Sequence, residues 1–136
     1  MTGALRSRLP PARDLVPLAV LLGMGAALRI FLSLVYHPAA LNQYDANSYV
    51  WQAEGGLFES VFQAPGYSVF LRATHLFSDD VVFTVSVQHL LPLLTAAFAW
   101  HALYRLTRSR WWGLVPAAVV LFEADALLVE HALMSE

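Results

Sequence analysis

The chain has 136 residues, 58% of them hydrophobic and 13% charged, with a formal net charge of −2. A soluble domain carries about a quarter charged residues, so this composition belongs to the membrane class, and the charge balance gives no reason to expect a nucleic-acid partner. All eight basic residues are arginine, and the absence of cysteine excludes disulfides, zinc–thiolate sites and thiol catalysis.

Residues 1–14, with Arg6, Arg8 and Arg13, precede a first apolar run at 15–36, "LVPLAVLLGMGAALRIFLSLVY". At 1.5 Å per residue, such a helix reaches about 33 Å, enough to cross a bilayer core. A cleaved signal peptide is the rival reading. The length of the run, the presence of Arg29 and the lack of a small-x-small cleavage site after "LVYHP" favour a retained helix.

The next 44 residues, 37–80, hold Arg72 as their single basic residue against Asp45, Glu54, Glu59, Asp79 and Asp80. A segment this long is more than a connector. Asp45 can cap a short helix, "ANSYVWQAEGG", in which Ala46, Tyr49, Val50 and Ala53 fall at one-face spacing and Gly55-Gly56 ends the run. A second helix is predicted from Tyr67 to about Phe77. Ser68, Arg72 and His75 share one of its faces, and Tyr67, Phe70 and Leu71 another. Two amphipathic helices lying at a membrane interface account for this pattern.

Residues 81–104, "VVFTVSVQHLLPLLTAAFAWHALY", carry no charged side chain and form a second span. Asp79 and Asp80 suit its N-terminus, Pro92 is expected to bend it, and Gln88 and His89 should face other helices rather than lipid. His101 reads, like His89, as a hydrogen-bonded packing residue. Arg105, Arg108 and Arg110 follow. A third span is read at 111–130, with Trp111 and Trp112 as an interfacial belt and Glu123, Asp125 and Glu130 towards its far end.

The positive-inside rule places the N-terminus and the "RLTRSR" loop in the cytoplasm. The predicted fold is therefore an all-α, multi-pass protein of the cell (inner) membrane. Its order is a cytoplasmic N-terminus at 1–14, a span at 15–36, an external loop with two interfacial helices at 37–80, a span at 81–104, a cytoplasmic loop at 105–110, a span at 111–130 and the start of a second external loop at 131–136. Asp45 and Arg72 fall outside, close to lipid headgroups.

The charged residues near the membrane admit two kinds of role. Asp45 either caps its helix or takes a proton from an attacking hydroxyl, and the two are compatible; it could also hold a divalent metal that neutralises a leaving phosphate. Arg29, deep in the first span, either contacts a phosphate or a catalytic carboxylate, or forms a salt bridge to an acid of the third span such as Glu123 or Glu130. The salt bridge is the preferred reading. Arg72 is the better phosphate ligand, although simple snorkelling is the commoner fate of an interfacial arginine. Glu130, His131 and Glu136 have the donor types of a metal site, but their spacing is not that of a dedicated zinc site, and an unbroken helix would turn 123 and 130 away from 125 and 136. Tyr44, Tyr49 and Tyr67 read first as interfacial anchors and second as sugar-stacking platforms.

The order of "ALRIFLSLVY", "YDANSY", "QAPGYSVFLRATHLF", "VQHLLPLLTAAFAWHALYRLTR" and "LLVEHALMSE" resembles the N-terminal part of a GT-C-type membrane glycosyltransferase, of the polyprenyl-phosphate-mannose protein mannosyltransferase and RgtA/B/C/D-like group. The resemblance implies transfer of a sugar from a polyprenyl-phosphate donor to a lipid, glycan or protein acceptor on the external face. It assigns essential acids to Asp45 and Glu136; for such a donor the phosphate contacts read from position are those of Arg72 and Arg29. It leaves the sugar and any divalent metal open. Many members read Asp-Glu where this chain reads Asp45-Ala46, and the common "PGYP" tract is "PGYS" here. Members commonly have ten or more spans, so the resemblance implies a portion of an enzyme that is inactive alone. The alternative is a complete, small, non-catalytic multi-pass protein whose polar intramembrane groups dock a partner.

Overall fold

The computed structural model describes residues 10–36, 46–58 and 65–131. Among these residues every regular element is helical: α1 (Ala12–Val35), α2 (Ala46–Glu54), α3 (Pro65–His75), α4 (Val81–Thr107), α5 (Arg110–Phe122) and α6 (Ala124–His131). α1 and α4 are each long and apolar enough to cross a membrane. Their 24 and 27 residues reach about 36 and 40 Å against a hydrocarbon core of about 30 Å. Helix is the form a chain this apolar requires in lipid, because it satisfies backbone groups within the segment.

The helix ends follow local chemistry. α1 begins directly after Pro10-Pro11, three residues before the apolar run starts. Asp80 caps α4, its side chain accepting from the Val82 amide at 2.9 Å. Pro92 lies within α4 without ending it, and the helix continues three residues past the predicted boundary. It stops where Arg108 takes a left-handed conformation (φ 56°) and its amide bonds to the Tyr104 carbonyl at 2.8 Å. α2 ends at Gly55, as its sequence predicts, and α3 starts at Pro65, two residues before the predicted start.

α1, α4 and α5 pack together, and α6 reaches back to α1 and α4. Their core is Leu18, Ala96, Trp100, Tyr104, Ala117 and Leu121. Apolar burial drives little helix association in lipid, so close backbone approach and internal hydrogen bonds carry the packing. Gly113 supplies the approach. A Cβ there would lie 2.7 Å from Trp100 Cδ1 and 2.9 Å from its carbonyl oxygen. Trp100 itself donates its indole N–H to the Arg110 carbonyl at 3.1 Å and stacks on Tyr104, with ring centroids 5.0 Å apart.

The predicted third helix is not one rod. α5 and α6 meet at an angle of 48°, with Glu123 extended between them (ψ 121°). Neither glycine nor proline stands at this joint. Instead the Arg29 guanidinium of α1 donates to the Leu121 carbonyl at 3.1 Å, inserting a side chain where the helical ladder would otherwise continue. The shared face expected for Glu123 and Glu130 is thereby lost: Glu123 is exposed, and Glu130 turns inward.

α2 and α3 form a separate helical pair, and α3 also leans on α4. Tyr49 and Leu71 form its small core, with Tyr67 edge-on to Tyr49 at 5.3 Å. Ser68 departs from the predicted polar face. It is fully buried and donates to Gln52 Oε1 at 2.9 Å, while Arg72 and His75 stay exposed. Gln52 in turn donates to the Leu57 carbonyl at 2.8 Å, fixing the turn after α2. A small hydroxyl fits a helix crossing that a longer polar side chain would hold apart.

Candidate functional site

Two regions gather the polar chemistry. The first is the junction of α1, α4 and α6. Arg29, only 2% exposed, donates from Nε to Glu130 Oε2 and from Nη2 to Glu130 Oε1, both at 2.8 Å. Its Nη1 reaches the carbonyls of Gly25 (3.2 Å) and Leu121 (3.1 Å). The salt bridge preferred from the sequence is present, and its partner is Glu130. Bidentate pairing with further carbonyl acceptors is the arrangement that makes a buried guanidinium tolerable.

The same carboxylate faces α4. His89 Nδ1 lies 3.1 Å from Glu130 Oε2, and His89 Nε2 lies 3.4 Å from His131 Nδ1. His131 Nε2 is 2.6 Å from the Tyr36 carbonyl at the end of α1. The two imidazole rings lie within 24° of parallel, with centroids 5.6 Å apart. Each ring nitrogen of His89 is turned to a different partner. Among the described residues no three or more His, Cys, Asp or Glu side chains are placed to hold a metal ion.

The second region lies beside α3. A groove of about 470 Å³ has an apolar floor that includes Val50, Ala53, Leu71 and Val81, and a rim bearing Arg72, Glu54, His75 and Asp79. His75 and Asp79 pair at 3.2 Å on the surface. Arg72 is exposed. Trp51, Phe58, Leu76 and Phe77 are also largely exposed around this pair of helices. A further groove, of about 560 Å³, runs between α3, α4 and the bent α5–α6, lined by Tyr67, Phe70, Leu91, Val120, Glu123 and Glu130 among others. Tyr67 accepts a hydrogen bond from Gln88 Nε2 at 3.3 Å. Burial pushes its phenol up to about 12, against the opposing effect of the Gln88 bond and with a small contribution from Tyr49.

Of the site residues predicted from sequence, Arg29 and Arg72 fall in different regions, the first enclosed and the second open. Asp45 and Glu136 lie outside the described residues. So does Tyr44. Any metal held by those two carboxylates is outside the described residues with them. The sequence reading missed the His89–Glu130 and His131–Tyr36 contacts. The available signal was the presence of Gln88 and His89 inside an uncharged span, which marks a helix-facing side without naming what it meets. At the opposite end of the bundle, Tyr104 donates to Asp14 Oδ2 at 3.0 Å, and Arg110 stands 3.7 Å from Asp14 Oδ1.

Comparison with protein-family models, curated proteins and solved structures finds no match.

Proposed function

We propose that this chain is part of an integral-membrane glycosyltransferase, one that moves a sugar from a polyprenyl-phosphate donor to an acceptor outside the cell membrane. The observation that supports it most is the groove beside α3, where an apolar floor meets an exposed arginine at its rim. A lipid-linked phosphate needs that combination: hydrocarbon against Val50, Leu71 and Val81, and the anionic group against Arg72. Asp45 immediately precedes α2, one wall of the groove, in the chain. Its carboxylate is the base that would take the acceptor hydroxyl's proton as the oxygen attacks the anomeric carbon and the phosphate departs with the bonding pair.

In this reading α1, α4 and the bent pair α5–α6 make three crossings. α2 and α3 rest at the outer interface, with Trp51, Leu76 and Phe77 dipping into lipid. The arginines support the orientation. Arg110 donates to the Arg13 carbonyl at 3.2 Å, and Arg105 and Arg108 end the neighbouring α4, so one end of the bundle is basic. Glu136 is the second acid of this proposal, and Arg29 acts through Glu130 to hold the helix that leads to it.

The experiment is a sugar-transfer assay on the complete gene product in membrane vesicles, with a radiolabelled polyprenyl-phosphate sugar. Asp45→Asn is expected to lower turnover by roughly 10²- to 10⁴-fold, and Arg72→Ala to raise the KM for donor more than it lowers kcat. Full turnover in Asp45→Asn, or no transfer by the unmutated protein with any polyprenyl-phosphate sugar, overturns the proposal.

A further inference from the structure

The hydrogen bonds at the junction of α1, α4 and α6 can be counted, and the count does not close with neutral imidazoles. The line runs from Glu130 Oε2 to His89 Nδ1 (3.1 Å), from His89 Nε2 to His131 Nδ1 (3.4 Å) and from His131 Nε2 to the Tyr36 carbonyl (2.6 Å). Both ends are acceptors. A carbonyl oxygen can only accept, so His131 Nε2 carries hydrogen. Glu130 accepts from Arg29 at both oxygens, so it is held as the carboxylate, and His89 Nδ1 carries hydrogen towards it. One more hydrogen is needed between His89 Nε2 and His131 Nδ1, where two bare lone pairs would otherwise face each other. Three gaps need three hydrogens, and two neutral imidazoles bring two.

We infer that His89 and His131 form a proton-binding site, taking up one proton from water and sharing it between their facing nitrogens, with the Glu130 carboxylate, already paired with Arg29, as the acceptor at the His89 end. The inference does not depend on the glycosyl-transfer reading. The groups facing the pair from each neighbouring element set its electrostatics. α1 presents Arg29 and the Tyr36 carbonyl, with the Tyr36 ring edge-on to His131 at 6.2 Å; α6 presents Glu130; α4 places Gln88 beside His89; α5 sends its Leu121 carbonyl to Arg29. Tyr67 of α3 and Glu123, at the bend, line the groove that Glu130 also reaches. Within the pair the proton belongs to both rings.

The structural consequence is a latch. With the proton bound, the line is continuous from α6 through α4 back to α1. Without it, the 3.4 Å contact becomes repulsive and the His131 end of α6 loses one of its ties. The latch is closed while the proton is held and opens when it leaves.

The test is nitrogen-15 NMR of the full chain, labelled at histidine, in lipid nanodiscs from about pH 5 to about pH 9, the range in which histidine charge ordinarily changes. The two assigned rings are expected to carry three ring hydrogens between them at the acid end and two at the alkaline end, changing with one common midpoint. Substitution separates this from mere packing. A glutamine at 131 still offers an acceptor to His89 and a donor to Tyr36, so His131→Gln leaves His89 with two acceptors and keeps proton uptake within a few-fold. His131→Phe removes the second acceptor, and His89 is expected to lose proton affinity by about ten-fold or more. Two ring hydrogens throughout the range in the unmutated chain overturn the inference, whether or not the variants fold. Equal titration of His89 in the Gln and Phe variants overturns it as well.

Discussion

Arg29 and Glu130 stand 101 positions apart in the chain and meet through two hydrogen bonds of 2.8 Å, the guanidinium almost wholly enclosed and the carboxylate nearly so. The pair ties the C-terminal third of α1 to the last turn of α6. Because the Arg29 guanidinium also donates to the Leu121 carbonyl at the α5–α6 bend, one side chain both holds the bend and fixes where its far arm lands.

Breaking this pair from one side leaves a buried charge without its partner. Glu130→Ala is expected to destabilise the bundle by about 3–5 kcal/mol. The paired replacement Arg29→Leu with Glu130→Leu removes both charges and should recover most of that loss, leaving about 1–3 kcal/mol for the orphaned Leu121 carbonyl. Denaturant unfolding in micelles measures the order: the single variant must be the less stable. A double variant no better than the single one would mean that charge pairing is not what holds α6.

The contact between α4 and α5 depends on the missing side chain of Gly113. Gly113→Ala places a methyl group against Trp100, including its backbone carbonyl, which cannot yield as a flexible side-chain tip can. The expected cost is about 1–3 kcal/mol, with red-shifted tryptophan fluorescence as the indole loses its enclosed position. Gly23→Ala on α1 is the control, since nothing lies within 4 Å of the added atom. Equal stability of the two variants would remove close approach at Gly113 as the packing determinant.

The separate legibility of these features has a physical basis. Long apolar runs announce α1 and α4 because lipid leaves backbone groups no partner outside the helix, and Asp80 and Gly55 mark ends through local chemistry alone. A charge as deep as Arg29 predicts that some acid must meet it, and of the two candidates, Glu123 and Glu130, it is Glu130 that does. The bend at Glu123 could not be read in the same way. Its cause is a side chain from α1 binding a carbonyl on α5, a tertiary event with no proline or glycine to mark it. Ser68 shows the same limit in reverse: helical spacing grouped it with Arg72 and His75, but its size lets α2 approach, and Gln52 supplies the acceptor that makes its burial tolerable. For the candidate site, Arg72 was recognisable from its isolation on a polar face, whereas the His89–Glu130–His131 line joins residues of two helices and could be seen only once they were packed.

Tyr67 makes α3 sensitive to strong alkali. Its phenol is raised to about 12 by burial, whereas an exposed tyrosine ionises near 10. Below about pH 10 both folded and unfolded chains keep the proton, and its contribution to stability is constant. Between about 10 and 12 the unfolded chain releases the proton first, so stability falls as pH rises through that window. Tyr67→Phe should flatten the fall in thermal midpoint over this range, although it forfeits the hydrogen bond from Gln88. An unchanged alkaline slope in Tyr67→Phe would assign the sensitivity elsewhere.

The native chain has no cysteine, so single cysteines report sidedness without background. Phe58, exposed beyond α2, and Arg108, exposed after α4, stand in the two loop regions to which the proposed topology assigns opposite compartments. With a membrane-impermeant maleimide applied to intact cells, Phe58→Cys should label at once, and Arg108→Cys only after the membrane is opened. Labelling of Phe58→Cys from the cytoplasmic side alone would place the Arg72 groove away from an external acceptor and remove the orientation on which sugar transfer at the outer face depends.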